Sequence, residues 1–232
     1  MKNKLKVLAI SDTHAQHSHF PKDYFRDIDM IIHAGDESNY YDVYRNEQEF
    51  WDFLEWFRDI DVKFKVLIAG NHSSFINKNT KIVREACKKA EIIYLENELI
   101  EINGIKIWGS PYSPTFGDWY FMKSRDKMHD IWQNIPGGID ILVTHTPPKG
   151  ILDLSFDREG TLEFCGCKSL MSHVKRIKPK YHIFGHIHTM EGIDNAGTRT
   201  IEDLDTIFIN ASCVTDGKFN MGLSSWGTIF EI

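Results

Sequence analysis

Five short apolar runs in this chain each stop on a side chain that can hold a cation. "KVLAISDTH" reaches Asp12 and His14, and "MIIHAGD" reaches Asp36. "FKVLIAGNH" reaches Asn71 and His72, "ILVTH" reaches His145, and "YHIFGHIH" reaches His186 and His188. Apolar runs of this length, bounded by Gly, Asp or Pro, read as buried strands. Helical patterns lie between them. Over Val43–Ile60, Phe50, Phe53, Leu54 and Phe57 recur at helical spacing. Asn79–Ala90 is amphipathic, with Asn79 or Thr80 as its cap. The spacing also predicts helices over Ser124–Ile135, stopped by Pro136, and over Cys167–Pro179. Further strands are expected at 91–95, 98–104, 104–110, 206–212 and 227–232, with a hairpin turn at Asn103-Gly104. Strands alternating with helices predict a layered α/β protein with a mostly parallel, partly mixed sheet.

In such sheets ligands bind beyond the carboxyl ends of the strands. Here those ends carry Asp, Asn or His five times, and three of them also carry a glycine, Gly35, Gly70 and Gly185. Asp12 and His14 stand two residues apart, so an extended backbone would aim both at one point. Taken singly, each residue has an ordinary explanation: Asp36 as a cap, His145 as a strand end, His186 as a core histidine. Taken together they suit a mixed oxygen and imidazole site for Mn²⁺, Fe or Zn²⁺ rather than Ca²⁺. There are ligands enough for two ions, with one carboxylate left to bridge them.

Composition limits the remaining choices. At 232 residues the chain fits one domain, 1–232, with no repeat, low-complexity block or linker. A formal net charge of -6 is the wrong sign for a protein that lives by phosphate-backbone attraction, so no long nucleic acid is expected as partner. No stretch approaches a membrane span, and the N-terminal apolar run is too short for a signal peptide. Cys87, Cys165, Cys167 and Cys213 lack zinc or redox spacing and read as reduced thiols, which points to the cytoplasm. Trp51, Trp56, Trp119 and Trp132 read as packing residues.

The series Asp12-Thr13-His14, Gly35-Asp36, Gly70-Asn71-His72, His145 and Gly185-His186-Ile187-His188 resembles the calcineurin-like metallophosphoesterase superfamily. "GIKIWGSPYSP", "IPGGIDILVTHTPP" and "KPKYHIFGHIHT" resemble more narrowly its small MPPED-like branch. The resemblance implies a four-layer α/β/β/α sandwich with a dinuclear metal site. It implies that Asp12, His14 and His188 hold one ion, that Asn71, His145 and His186 hold the other, and that Asp36 bridges. His72 would stay off the metals and face the substrate beside Asn71, binding phosphate or acting as general acid. In many relatives an acidic residue follows Gly-Asn-His and can orient the histidine; here Ser73 and Ser74 follow.

The implied chemistry is hydrolysis of a phosphoester by a metal-bridging hydroxide, with two divalent ions, Mn²⁺ first. A small phosphodiester or a nucleotide, including a cyclic nucleotide, is the expected substrate, with a phosphomonoester second. "YSPTFGDWYF", Tyr112–Phe121, either lines a pocket that stacks a base or is a packed loop. The alternatives are a phosphoprotein phosphatase and a non-catalytic scaffold on the same fold.

Overall fold

The computed structural model describes residues 4–157, 159–217 and 221–232. Two sheets stack face to face. The first has the strand order Thr228–Glu231, Lys6–Ile10, Met30–Ala34, Phe64–Ile68, Ile92–Tyr94. Its last four strands run parallel, and Thr228–Glu231 closes the edge antiparallel. The second has the order Gly197–Ile201, Leu204–Asn210, Tyr181–Phe184, Ile141–Thr144, Ile105–Ser110, Glu98–Ile102. Its four inner strands are parallel and its two outer ones antiparallel.

Strand alternation sends successive side chains to opposite faces, and each face here meets a packed layer. Val7, Ala9, Met30, Ile32, Val66 and Ile68 meet Ile107, Ile141, Val143, Ile183 and Ile209 in a core between the sheets. On the far side of the first sheet, Leu8, Ile10, Ile31 and Leu67 pack with Phe50, Phe53 and Phe57 of the Val43–Asp59 helix and with Val83 and Cys87 of the Thr80–Lys89 helix. On the far side of the second, Trp108, Leu142, Phe184 and Phe208 pack with Leu170 and Val174 of the Lys168–Ile177 helix. Three cores between four layers make the α/β/β/α sandwich. Burial on both faces is why the strands read as unbroken apolar runs.

The long helix begins at Asp42, whose carboxylate accepts from the Arg45 N–H at 3.1 Å. Two local expectations are corrected. Neither Asn79 nor Thr80 caps the Thr80–Lys89 helix through its side chain. Asn79 stands at the N-cap position, but both side chains turn back to the one-turn helix Ser74–Lys78 just before it: Asn79 Nδ2 donates to Phe75 O and Thr80 Oγ1 to Ile76 O. The helix expected over Ser124–Ile135 is instead two short turns, Arg125–Lys127 and His129–Trp132. There Asn134 Nδ2 takes the Asp130 carbonyl at 2.7 Å, and the Asn134 N–H falls back on Ile131 O. A side chain competing for a helical acceptor in this way unwinds the turn.

Trp132 is fully buried and Trp56 packs partly buried on the first helical core, whereas Trp51 is 38% exposed. Trp119 departs from a core role and is taken up below. All four cysteines are free thiols. Among the described residues no helix is long and apolar enough to cross a membrane.

Candidate metal centre

All seven expected ligands come together at the carboxyl ends of the two sheets. Asp12, His14, Asp36 and Asn71 follow strands of the first sheet; His145, His186 and His188 follow strands of the second. Asp12 and His14 do not converge by strand alternation. Both have left-handed backbone, with φ of 52° and 41°, as do Asp36 at 56° and His186 at 71°. Asp and His tolerate this region better than most residues, yet it still costs about 1–2 kcal/mol each. The cost is sustained because neighbouring loops fix the backbone. Asp12 N–H donates to Gly35 O at 2.8 Å, His14 N–H to Asp36 O at 3.1 Å, and Gly185 N–H to His145 O at 3.1 Å. Two glycines are required by close approach. A Cβ at Gly185 would collide with Asp12 Oδ2 and Ser11 Oγ, and one at Gly70 with Asp36 Oδ1.

Three groups of ligand atoms each lie within 4.8 Å of one another: Asp12, His14 and His188; Asp36, His145 and His186; and His14, Asp36 and His72. The first is the expected set for one ion. The second holds His145 and His186 of the other set, together with the expected bridge. Asn71 joins it through Oδ1, 2.9 Å from His145 Nε2. His14 and His188 bring their Nε2 atoms to 3.3 Å, and His188 Nε2 lies 3.2 Å from Asp12 Oδ1. Their other nitrogens are tied off: His14 Nδ1 on Ser38 O, His145 Nδ1 on Ala34 O and His188 Nδ1 on Asp216 Oδ1 at 2.8 Å. Such anchoring leaves Nε2 as the inward lone pair, the arrangement that metal-binding histidines use. Ring nitrogens crowded together beside buried carboxylates suit a shared cation, which can replace any protons they carry.

The electrostatics agree. Burial alone would raise the Asp12 carboxyl, but its hydrogen bond to His188 and the charges of His188 and His145 hold it below its ordinary value. Asp36 is likewise fully buried, yet the charges of His145 and His72 carry it well below. Burial opposes charge on both histidine partners, but Asp36 lifts His145 to about 9, and Asp12 with Asp216 lifts His188 to about 10. Burial pushes His14 and His186 down to about 3, so both present neutral rings.

His72 sits at the rim. Its Nδ1 lies 2.9 Å from Asn39 O, and its backbone N–H donates to Asp36 Oδ1 at 2.7 Å. Several neighbours were not evident from the sequence. Ser73 turns away from His72: its Oγ donates to Glu37 Oε2 at 2.6 Å and accepts from the Gly70 N–H. Burial pushes the Glu37 carboxyl up to about 7. Asn46, on the long helix, donates to His72 O and Tyr40 O and accepts from the Phe75 N–H, clamping two site loops. The only forewarning was an Asn on the apolar face of a helix. The segment 112–121 does reach the site. Phe116 lies 5.2 Å from the His186 ring and Trp119 lies 4.2 Å from His72, both between ring centroids. Beside His186 opens a cavity of about 870 Å³, lined by Phe116, Phe156, Asp118, Asp157, Glu163 and Arg125 among others.

Comparison with known proteins bears on this geometry. Residues 5–190 match the family described as calcineurin-like phosphoesterase. A UPF0046 protein of Caenorhabditis elegans is 35% identical over 90% of this chain and 75% of its own length. Human metallophosphoesterase domain-containing protein 1 is 30% identical over 90% of this chain and 66% of its own. In fold, the chain is similar to the phosphopantetheinyl hydrolase PptH of Mycobacterium tuberculosis. The TM-score is 0.58 and the identity 15%, over 91% of this chain and 90% of that one.

Proposed function

The chain belongs to the calcineurin-like phosphoesterase family, and from that premise we propose that it is a metal-dependent phosphoesterase acting on a small phosphodiester, with a phosphomonoester as the second substrate class. The observation that carries this reading is the convergence of Asp12, His14 and His188 beside Asp36, His145 and His186, with three of the four rings anchored through Nδ1. Asp12, His14 and His188 would hold one divalent ion and Asn71, His145 and His186 the other, with Asp36 shared; Mn²⁺ suits the mixed donors. When bound, such a pair neutralises phosphoryl oxygens and acidifies a water towards hydroxide.

The protein's own groups do the rest. Asp36 and Asp12 fix the positions of His145, His188 and the His186 backbone. With Nδ1–H bonded to Asn39 O, His72 when doubly protonated keeps Nε2–H to bind a phosphoryl oxygen or to deliver its proton to the departing alkoxide. The cavity beside His186 favours the diester. Asp118, Asp157 and Glu163 line it together with one guanidinium, Arg125, two of whose N–H donors go to Gly166 O and Cys165 O. Such a wall disfavours the doubly charged monoester, and Phe116 and Phe156 offer ring faces to a base, as in a cyclic nucleotide.

The test is metal-stripped protein reloaded with Mn²⁺ and assayed on model diesters, monoesters, cyclic nucleotides and a phosphopeptide. Turnover of a diester above the monoester supports the proposal. Turnover of the phosphopeptide alone, or of nothing, overturns it. His72→Ala should keep its metal and lose turnover by about 10²–10⁴-fold, more for poor leaving groups than for nitrophenolate.

A further inference from the structure

We infer that Trp119 is the positioning residue of His72, supplying the restraint that an acidic residue after Gly-Asn-His would otherwise give. This rests on the reading of His72 as a catalytic group. Ser73 stands where that acid is expected, and its hydroxyl serves Glu37 and Gly70 instead. The imidazole of His72 is held by three other contacts. Nδ1 meets the Asn39 carbonyl at 2.9 Å. His14 meets the ring edge-on, with centroids 4.7 Å apart and planes at 84°. Trp119 lies across it with centroids 4.2 Å apart and planes at 32°.

One hydrogen bond fixes a point on the ring but leaves rotation about it. An indole tilted 32° across the face restricts that freedom, and His14 blocks one edge. Trp119 is itself secured. The Tyr120 N–H donates to Asn71 O at 3.2 Å, so the loop is fastened to the same Gly-Asn-His turn that carries His72. Tyr41 packs edge-on against Trp119, with centroids 5.4 Å apart, and tilted at 41° against Tyr120, with centroids 5.3 Å apart. The indole belongs to none of the hydrophobic cores, so packing stability does not account for it.

The experiment compares Trp119→Ala, Trp119→Phe, His72→Ala and the Trp119→Ala/His72→Ala pair, all Mn²⁺-loaded. Trp119→Ala should lower kcat for a phenyl diester about 10-fold, with less loss for a nitrophenyl diester and with KM and metal content kept. Trp119→Phe should recover most of it, because it restores a ring face. In the His72→Ala background, removing Trp119 should cost nothing more. Equal losses in both backgrounds, or a change in KM alone, would make Trp119 a substrate contact and overturn the inference. A crystal structure of Trp119→Ala decides independently of activity. His72 should leave the Asn39 carbonyl or occupy more than one rotamer. A single unchanged rotamer overturns the positioning role even if the protein proves to be an active phosphoesterase, while an assay blank on every ester overturns the phosphoesterase reading alone.

Discussion

Asp36 meets residues from both halves of the site. Its Oδ1 accepts from the His72 N–H, its Oδ2 lies 3.2 Å from His145 Nε2, and it shares ligand-atom groups with His14 and with His186. A carboxylate so placed is positioned to bridge the two ions of the proposed centre. Asp36→Ala should therefore reduce the metal content from two ions to fewer than one per chain, and Asp36→Asn should do nearly the same, since an amide supplies one weak oxygen. Metal analysis showing two ions bound to Asp36→Ala would remove the bridging assignment. At this scale the clustering of the expected ligands was legible because each stands within a few residues of an apolar run, where one-dimensional order and spatial order coincide. Glu37, Ser73 and Asn46 were not. Their roles arise from contacts between segments 26 to 36 positions apart, such as Ser73 to Glu37 and Asn46 to His72, and no local pattern encodes such a pairing.

The strand-end turns are where local sequence and global structure press hardest on each other. Four of the expected ligands hold left-handed backbone, and the Gly185 turn lets the Asp12 carboxylate approach the chain so closely that both its oxygens accept from the His186 N–H at 3.0 Å. Gly185→Ala would drive a methyl into Asp12 Oδ2 and Ser11 Oγ. Both are fully buried, so neither can yield freely. Overpacking of this kind costs about 1–3 kcal/mol, and the displaced carboxylate should also weaken the metal site. Gly137→Ala, where a Cβ meets nothing within 4 Å, is the control and should change neither property. Urea unfolding and Mn²⁺ titration of both variants check this, and equal behaviour of the two would show that the close approach carries no weight. Strand and helix positions were readable at this scale because burial on both faces imposes long apolar runs. What was missed lacks that imprint. The hairpin Leu154–Phe156 with Leu162–Phe164 leaves Phe156, Leu162 and Phe164 about half exposed. The small sheet of Thr189–Met190, Val214–Asp216 and Met221–Leu223 has strands of two or three residues, too short to show alternation.

Across the whole molecule, the site is the seam between two sheets, and its charge state ties that seam to pH. In the metal-free protein, Asp36 lifts His145 to about 9, and Asp12 with Asp216 lifts His188 to about 10, so both rings are charged at pH 7. Folded values above the ordinary 6.5 mean that these pairs stabilise the fold fully below pH 6.5 and lose that contribution as pH rises through 9 and 10. The lowered carboxyls of Asp12 and Asp36 work the other way: their contribution is present above the ordinary 3.8 and is lost as pH falls through their folded values. Without metal, these four groups therefore favour the window between 3.8 and 6.5. A metal ion needs the lone pairs that the two protons occupy, so loading must expel them. Calorimetric Mn²⁺ titrations at pH 7, run in two buffers of different ionisation enthalpy, should report release of about two protons per chain. Apparent affinity should climb from pH 6 to pH 9, and the rise in Tm on adding Mn²⁺ should be larger at pH 8.5 than at pH 6, because protons compete less with the metal for the same nitrogens. A heat of binding independent of buffer would mean that His145 and His188 are already neutral in the metal-free protein, and that their Asp partners hold them by hydrogen bonds rather than by charge.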